Sequence, residues 1–70
     1  MKLVFQKEMT VSGLHYITEC KKYIIKENVA PNEEPTYFIF RKEKAGYNML
    51  TSRATPELAK ELCEILEGKE

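Results

Sequence analysis

The sequence predicts a small α+β domain, in which an antiparallel sheet that includes one hairpin carries a C-terminal helix on one face. Residues 56–67 place apolar side chains at the three- and four-residue spacing of a helix. Residues 36–43 and 46–52 are rich in aromatic and β-branched side chains and are separated by a short turn. With 70 residues the chain accommodates one domain, spanning 1–70.

Residues 2–11 are expected to form a first strand, because apolar and polar side chains alternate along most of the segment. Ser12 and Gly13 then interrupt this pattern. These two residues suit either a turn or the N-cap of a helix, so the connection depends on the segment that follows.

Residues 14–27 fit two kinds of structure. As a helix capped by Ser12, they gather their apolar side chains over about 200° of the helix surface. That set comprises Leu14, Tyr16, Ile17, Cys20, Tyr23, Ile24 and Ile25. We therefore expect a helix, and the architecture strand, helix, hairpin, helix. The β-branched and aromatic content favours strands instead. The alternative is therefore a single strand, or two strands broken at residues 19–21. The fold would then be a meander of three or four strands with one helix.

Residues 28–35 contain two prolines and two asparagines, which predicts a loop before the hairpin. Gly46 supplies the positive φ for the turn between strands 36–43 and 46–52. If Lys42 pairs with Tyr47, one face of the hairpin holds Phe38 and Phe40 near Thr51 and Met49, and the other holds Tyr37 and Ile39 near Ser52 and Leu50. Both faces are then partly apolar. One covers the core, and the other is packed by residues 14–27 or contacts something outside the chain.

The C-terminal helix begins with three favourable residues. Thr55 is a good N-cap, Pro56 suits the first helical position, and Glu57 places negative charge at the positive end of the helix dipole. Gly68 is expected to end the helix. The apolar stripe comprises Leu58, Ala59, Leu62, Ile65 and Leu66. A helix of this length is marginal alone in water, so it has to pack on the sheet or on a second copy.

Composition limits the classes of function. The chain is 43% apolar and 31% charged, and 11 basic residues balance 11 acidic ones, so no overall charge attracts nucleic acid or anionic lipid. No apolar run approaches the length of a membrane span, and the N-terminus lacks a secretory signal. Cys20 and Cys63 have no metal-ligand spacing. We expect a soluble cytoplasmic protein with reduced thiols, no metal and no cofactor.

The sequence offers little for catalysis. His15 is the single histidine and there is no aspartate. On a helix, Cys20 would not share a face with His15. Cys63 could meet His15 in space, but no third group that would orient the pair can be identified. We therefore expect no enzymatic activity and assign no catalytic residue.

The hairpin holds the one group of residues that suggests binding. Aromatic rings and cations are mixed there, in a segment with four basic residues and one glutamate over 36–54. The candidates are Tyr37, Arg41, Lys42, Lys44, Tyr47 and Arg53. We expect a non-catalytic regulatory module that binds another protein or a second copy of itself. The alternative is a nucleic-acid-binding domain with these cations on phosphates and a tyrosine on bases. A hairpin followed by Thr-Pro-Glu and a helix resembles the layout of arm-binding amino-terminal domains of tyrosine recombinases; no diagnostic motif accompanies that layout, and it assigns no family.

Overall fold

A computed structural model describes residues 3–11 and 13–68, and in this part of the chain five strands precede one helix. The elements are β1 (Phe5–Thr10), β2 (Gly13–Thr18), β3 (Tyr23–Asn28), β4 (Thr36–Glu43), β5 (Gly46–Arg53) and α1 (Pro56–Gly68). Each strand pairs antiparallel with the next, which gives one sheet of order β1-β2-β3-β4-β5. The predicted α+β class, the hairpin and the C-terminal helix are confirmed.

The helix expected over residues 14–27 is wrong, and the two-strand alternative is correct. The segment forms β2 and β3 with a four-residue turn at residues 19–22. No glycine or proline marks this turn. Lys21 instead takes the left-handed conformation with φ of 60°, and its N–H donates to the carbonyl of Thr18 at 2.8 Å. The β-branched and aromatic side chains on both sides of the turn then favour strands over a helix. The expected N-cap at Ser12 lies outside the described residues.

One face of the sheet packs against α1 and forms the core. The buried apolar residues are Tyr16, Tyr23, Ile25, Tyr37, Ile39, Ala59 and Cys63. Ala59 and Cys63 are the contribution of α1 to this set, and Leu62 and Leu66 pack beside them half-buried. The helix begins as expected, because the N–H of Leu58 donates to the Thr55 hydroxyl at 3.2 Å.

Polar contacts hold α1 to the end of the sheet where β1 begins and where β2 turns into β3. Ahead of β1, the N–H of Leu3 donates to Glu64 Oε2 at 3.0 Å. At the β2–β3 turn, Lys22 Nζ lies 3.0 Å from Glu67 Oε2. Lys60 lies over the aromatic rings of the core edge, with its Nζ 4.6 Å from the centroid of the Tyr16 ring. The charged face of the helix therefore contributes to its docking.

The β4–β5 register departs from the expected one at a β-bulge. Lys42 pairs with Tyr47 and Phe40 with Met49, as expected. Beyond the bulge between Ile39 and Phe40 the register shifts by one residue on β5. Phe38 therefore pairs with Ser52 rather than Thr51, Ile39 with Thr51 rather than Leu50, and Tyr37 with Arg53 rather than Ser52. A bulge adds one residue to one strand and reverses the alternation beyond it, but the mixed polarity of residues 49–53 gives no sign of that reversal in the sequence.

Thr18 closes the β2–β3 hairpin with its side chain. Its hydroxyl accepts from the Tyr23 N–H at 3.1 Å and donates to the Tyr23 carbonyl at 3.4 Å. The thiol of Cys20 also points at this oxygen, at 3.5 Å. Thr18 is 1% exposed, so water does not replace these partners when the hydroxyl is lost.

Thr18→Val is expected to lower the free energy of unfolding by about 1–3 kcal/mol, because it keeps the shape but leaves the Tyr23 N–H buried and unpaired. Thr18→Ser keeps the hydroxyl, so it is the matched control and loses only one methyl group. Urea unfolding followed by circular dichroism measures both. Equal losses in the two variants would mean that packing, rather than the hydroxyl, makes the contribution.

Candidate functional site

The face of the sheet opposite α1 is the main candidate surface, and we call it the open face. Strand side chains alternate between the two faces, so the neighbours of the buried residues in β2, β3 and β4 point away from the helix. Residues 14–27, which could have covered this side as a helix, lie within the sheet itself. No second layer covers the open face within residues 3–11 and 13–68.

An unbroken line of apolar side chains crosses the open face. Gln6 pairs with Ile17 in the neighbouring strand, and the line continues by pairing through Ile24, Phe40 and Met49. We call Ile17, Ile24, Phe40 and Met49 the apolar row. The first three are half-buried by their neighbours, and Met49 on the edge strand is 59% exposed. Cross-strand neighbours of this kind form a continuous apolar surface rather than scattered contacts.

A polar line runs beside the apolar row. Glu8 pairs with His15, His15 with Lys26, and Lys26 with Phe38. Lys26 reaches back toward the apolar row, since its Nζ lies 4.9 Å from the centroid of the Phe40 ring. This cation–π contact covers part of the ring and keeps the charge at the rim.

A shallow groove of ≈ 460 Å³ lies at the end of the open face nearest the β2–β3 turn. Its lining residues are Gln6, Glu8, Ile17, Thr18, Glu19, Lys21, Ile24 and Tyr47. Tyr47 closes one side, because its hydroxyl donates to the carbonyl of Lys21 at 2.7 Å and fixes the ring over the turn. The floor is aliphatic and the rim is charged, as at many recognition surfaces.

Charge is distributed unevenly across the open face. Glu8 on β1 and Glu19 after β2 make one side acidic, whereas Lys26 on β3 and Lys42 on β4 make the other side basic. The two signs are separated along the direction that crosses the strands. The charge on this face therefore changes from acidic to basic across the strands, and this gradient restricts the orientation of a partner.

The six binding candidates predicted from the sequence do not share one surface. Alternation along the hairpin puts Tyr37, Arg41 and Arg53 on the helix side of the sheet and Lys42 and Tyr47 on the open face. Lys44 lies in the exposed turn between β4 and β5.

Tyr37 and Arg53, on the helix side, form hydrogen bonds within the fold. Tyr37 is 9% exposed and its hydroxyl donates to Glu27 Oε2 at 3.0 Å. Burial, together with that hydrogen bond to Glu27, raises the pKa of Tyr37. The guanidinium of Arg53 donates to the Thr51 hydroxyl at 3.2 Å and to the Ser52 carbonyl at 2.7 Å. These contacts hold both side chains against the protein.

None of the four residues of the apolar row was assigned to a site from the sequence, and Ile17 and Ile24 were the two placed in a different element. They were placed in the apolar stripe of a helix over residues 14–27, so their role at the centre of the open face was missed. The signal was present, because Phe40 and Met49 were already expected to share a face of the hairpin. Adding β2 and β3 to that face extends the apolar row from β5 to β2.

The two thiols and the histidine lie apart. Cys63 is buried between α1 and the sheet, whereas Cys20 is exposed in the β2–β3 turn. His15 belongs to the open face, on the far side of the sheet from Cys63. Among the described residues, no three His, Cys, Asp or Glu side chains are grouped so that they could hold a metal ion.

Comparison of the chain with protein families, curated proteins and solved structures finds no match. No helix in the described part of the chain is long and apolar enough to cross a membrane.

Thiol labelling at neutral pH is expected to modify Cys20 quickly and Cys63 only after unfolding, because burial denies the reagent access to Cys63. Cys20→Ser is the matched variant, in which the fast reaction disappears and one slow thiol remains. The measurement is the absorbance of the released thiolate in buffer and in denaturant. Fast labelling in the Cys20→Ser variant would contradict the burial of Cys63.

Stability is also expected to fall at high pH. Burial, and then the nearby Glu64, raises the pKa of Cys63 from 9.0 to about 12, so the folded state holds the protonated thiol. The contribution of Cys63 is fully present below 9.0 and is lost as pH rises toward about 12. Unfolding by denaturant at a series of pH values measures this slope. Cys63→Ala should have a shallower slope, and what remains belongs to Tyr23 and Tyr37, whose pKa values burial also raises. A slope that Cys63→Ala leaves unchanged would contradict this.

Proposed function

We propose that this chain is a non-catalytic interaction module that binds another protein through the open face of its sheet. The observation that carries the proposal is the apolar row, which runs over four strands, β2 to β5, with no covering layer among the described residues. Contiguous exposed apolar surface with a polar rim is typical of protein-binding sites. The groove beside Tyr47 adds a concave region into which a partner side chain would fit.

The expected energy of such binding is modest. Full burial of a large apolar side chain stabilises a complex by roughly 1.5–3 kcal/mol, and most of the apolar row is already half-buried in the free chain. Lost translational and rotational freedom opposes this gain. Binding through the apolar row alone is therefore weak, and the charged rim has to contribute orientation and part of the affinity.

Nucleic-acid binding is the less favoured function. Arg41 and Arg53 lie on the opposite side of the sheet from Lys42 and Tyr47. Among the described residues that line the groove, two carboxylates, Glu8 and Glu19, outnumber the one cation, Lys21, so the groove is unfavourable for phosphates. The geometry thus supports a protein partner over a nucleic acid.

Photo-crosslinking tests the proposal. A benzophenone amino acid at position 49 is expected to capture another polypeptide in cells that express the chain. The same probe at position 58 is the matched control, because Leu58 on α1 is 48% exposed and Met49 is 59% exposed. Mass spectrometry of the adducts identifies what each probe has reached.

Three results are informative. Polypeptide adducts from position 49 that are several-fold more abundant than those from position 58 would support the proposal. No adduct from position 49, or equal adducts from both positions, would argue against the open face as a binding surface. Adducts with nucleic acid that disappear as salt rises would support the nucleic-acid alternative instead.

A further inference from the structure

Resting on the proposed function, we infer that the partner on the open face is a second copy of this chain, related by a twofold axis that runs along β3. Rotation about such an axis places β1 of one copy over β5 of the other and β2 over β4, with β3 over itself. Symmetric pairs of this kind use one self-complementary patch on both copies. The open face meets that requirement in its apolar contacts, its charges and its size.

The apolar row is complementary to itself under this rotation. Ile17 on β2 comes over Phe40 on β4 of the second copy, and Ile24 on the central strand comes over its own equivalent. Gln6 on β1 lies over the exposed Met49 on β5. Ile17, Ile24 and Phe40 are centred on the axis, so these three residues form apolar contacts with their counterparts in the second copy, and Met49 packs on the stem of Gln6.

The charges select this axis over the other twofold axis that would stack the two open faces. Along β3, the rotation brings Glu19, at the end of β2, over Lys42, near the end of β4, twice in each pair. An axis running across the strands would instead stack each strand on its own copy. That rotation also reverses the direction along the strands. Glu19 would then lie over His15 of the second copy and Lys42 over Phe38, so neither Glu19–Lys42 contact would form.

Lys26 lies on β3, so the rotation places it opposite its own equivalent, a like charge. Its side chain, however, leans toward β4, where its Nζ is 4.9 Å from the centroid of the Phe40 ring. In the second copy the equivalent lysine leans the opposite way, toward β2 of the first. The two ammonium groups therefore separate, and each moves to the side of the other copy that carries Glu8 and His15.

The open face also has the size that a stable pair requires. Five strands about 4.8 Å apart, each with six to eight residues rising ~3.4 Å, give a footprint of roughly 500–650 Å². The accessible surface of a pleated face exceeds its footprint, so the area is comparable with the roughly 800 Å² per partner of a standard interface. Stacked sheets with this twist pack about 10 Å apart and about 30° from parallel.

Charge exchange at the predicted contact tests this inference on the purified full chain. Wild type is expected to sediment as a concentration-dependent dimer at low salt. Glu19→Lys and Lys42→Glu should each weaken the dimer by about tenfold, because each creates two like-charge contacts. The double variant should return to within about threefold of wild type. Glu61→Lys makes the same charge change on the exposed side of α1 and should leave the dimer unchanged.

Circular dichroism confirms that each variant is folded before its mass is read. A monomer at every concentration up to about 1 mM would overturn the inference, as would a dimer that the single variants leave unchanged or that the double variant fails to restore. If the chain is monomeric while position 49 still captures a different protein, the second copy is excluded and the proposed function stands. If position 49 captures nothing and the chain is monomeric, both fail.

Discussion

One helix has to cover one face of a five-stranded sheet, and the rest of the structure follows from that constraint. A helix of 13 residues is about 20 Å long and about 10 Å wide, which is narrower than the sheet. Burial is therefore deepest on β2, β3 and β4, where Tyr16, Tyr23, Ile25 and Ile39 are found. The edge strands β1 and β5 are mostly exposed.

The core uses amphipathic side chains to span this limited width. Among the described residues, three of the seven buried apolar residues are tyrosines, whose rings pack in the core and whose hydroxyls add polar atoms to it. Tyr37 reaches Glu27, whereas the buried hydroxyl of Tyr23 has no hydrogen-bond partner within the described residues. Burial raises the pKa of Tyr23, and the charges of Lys22 and Arg41 partly offset that effect. Lys60 is amphipathic in the same way: its side chain lies over the rings of Phe5 and Tyr16, at the side of the narrow helix α1.

The hairpin and the helix could be predicted because their signals are local. Gly46 separates two strongly β-forming segments, and the Thr55 cap precedes a clean helical stripe. The prediction of a helix over residues 14–27 was wrong because Tyr16 and Tyr23 are seven residues apart, a spacing that equals two turns of a helix. The same spacing brings both residues to the inner face of adjacent strands when a four-residue turn joins them. The turn depends on the left-handed conformation of Lys21, and a lysine, unlike a glycine, does not indicate such a conformation in the sequence.

The same segment determines how much of the sheet is left uncovered. As a helix, residues 14–27 would have provided a second covering layer and left a narrower sheet. As β2 and β3, they widen the sheet and bring Ile17 and Ile24 to the open face, where they join Phe40 and Met49. A chain that is 43% apolar thus completes its core with seven apolar residues and keeps many others at its surface. In the dimer that we propose, a second copy covers the part of this apolar surface that lies on the open face.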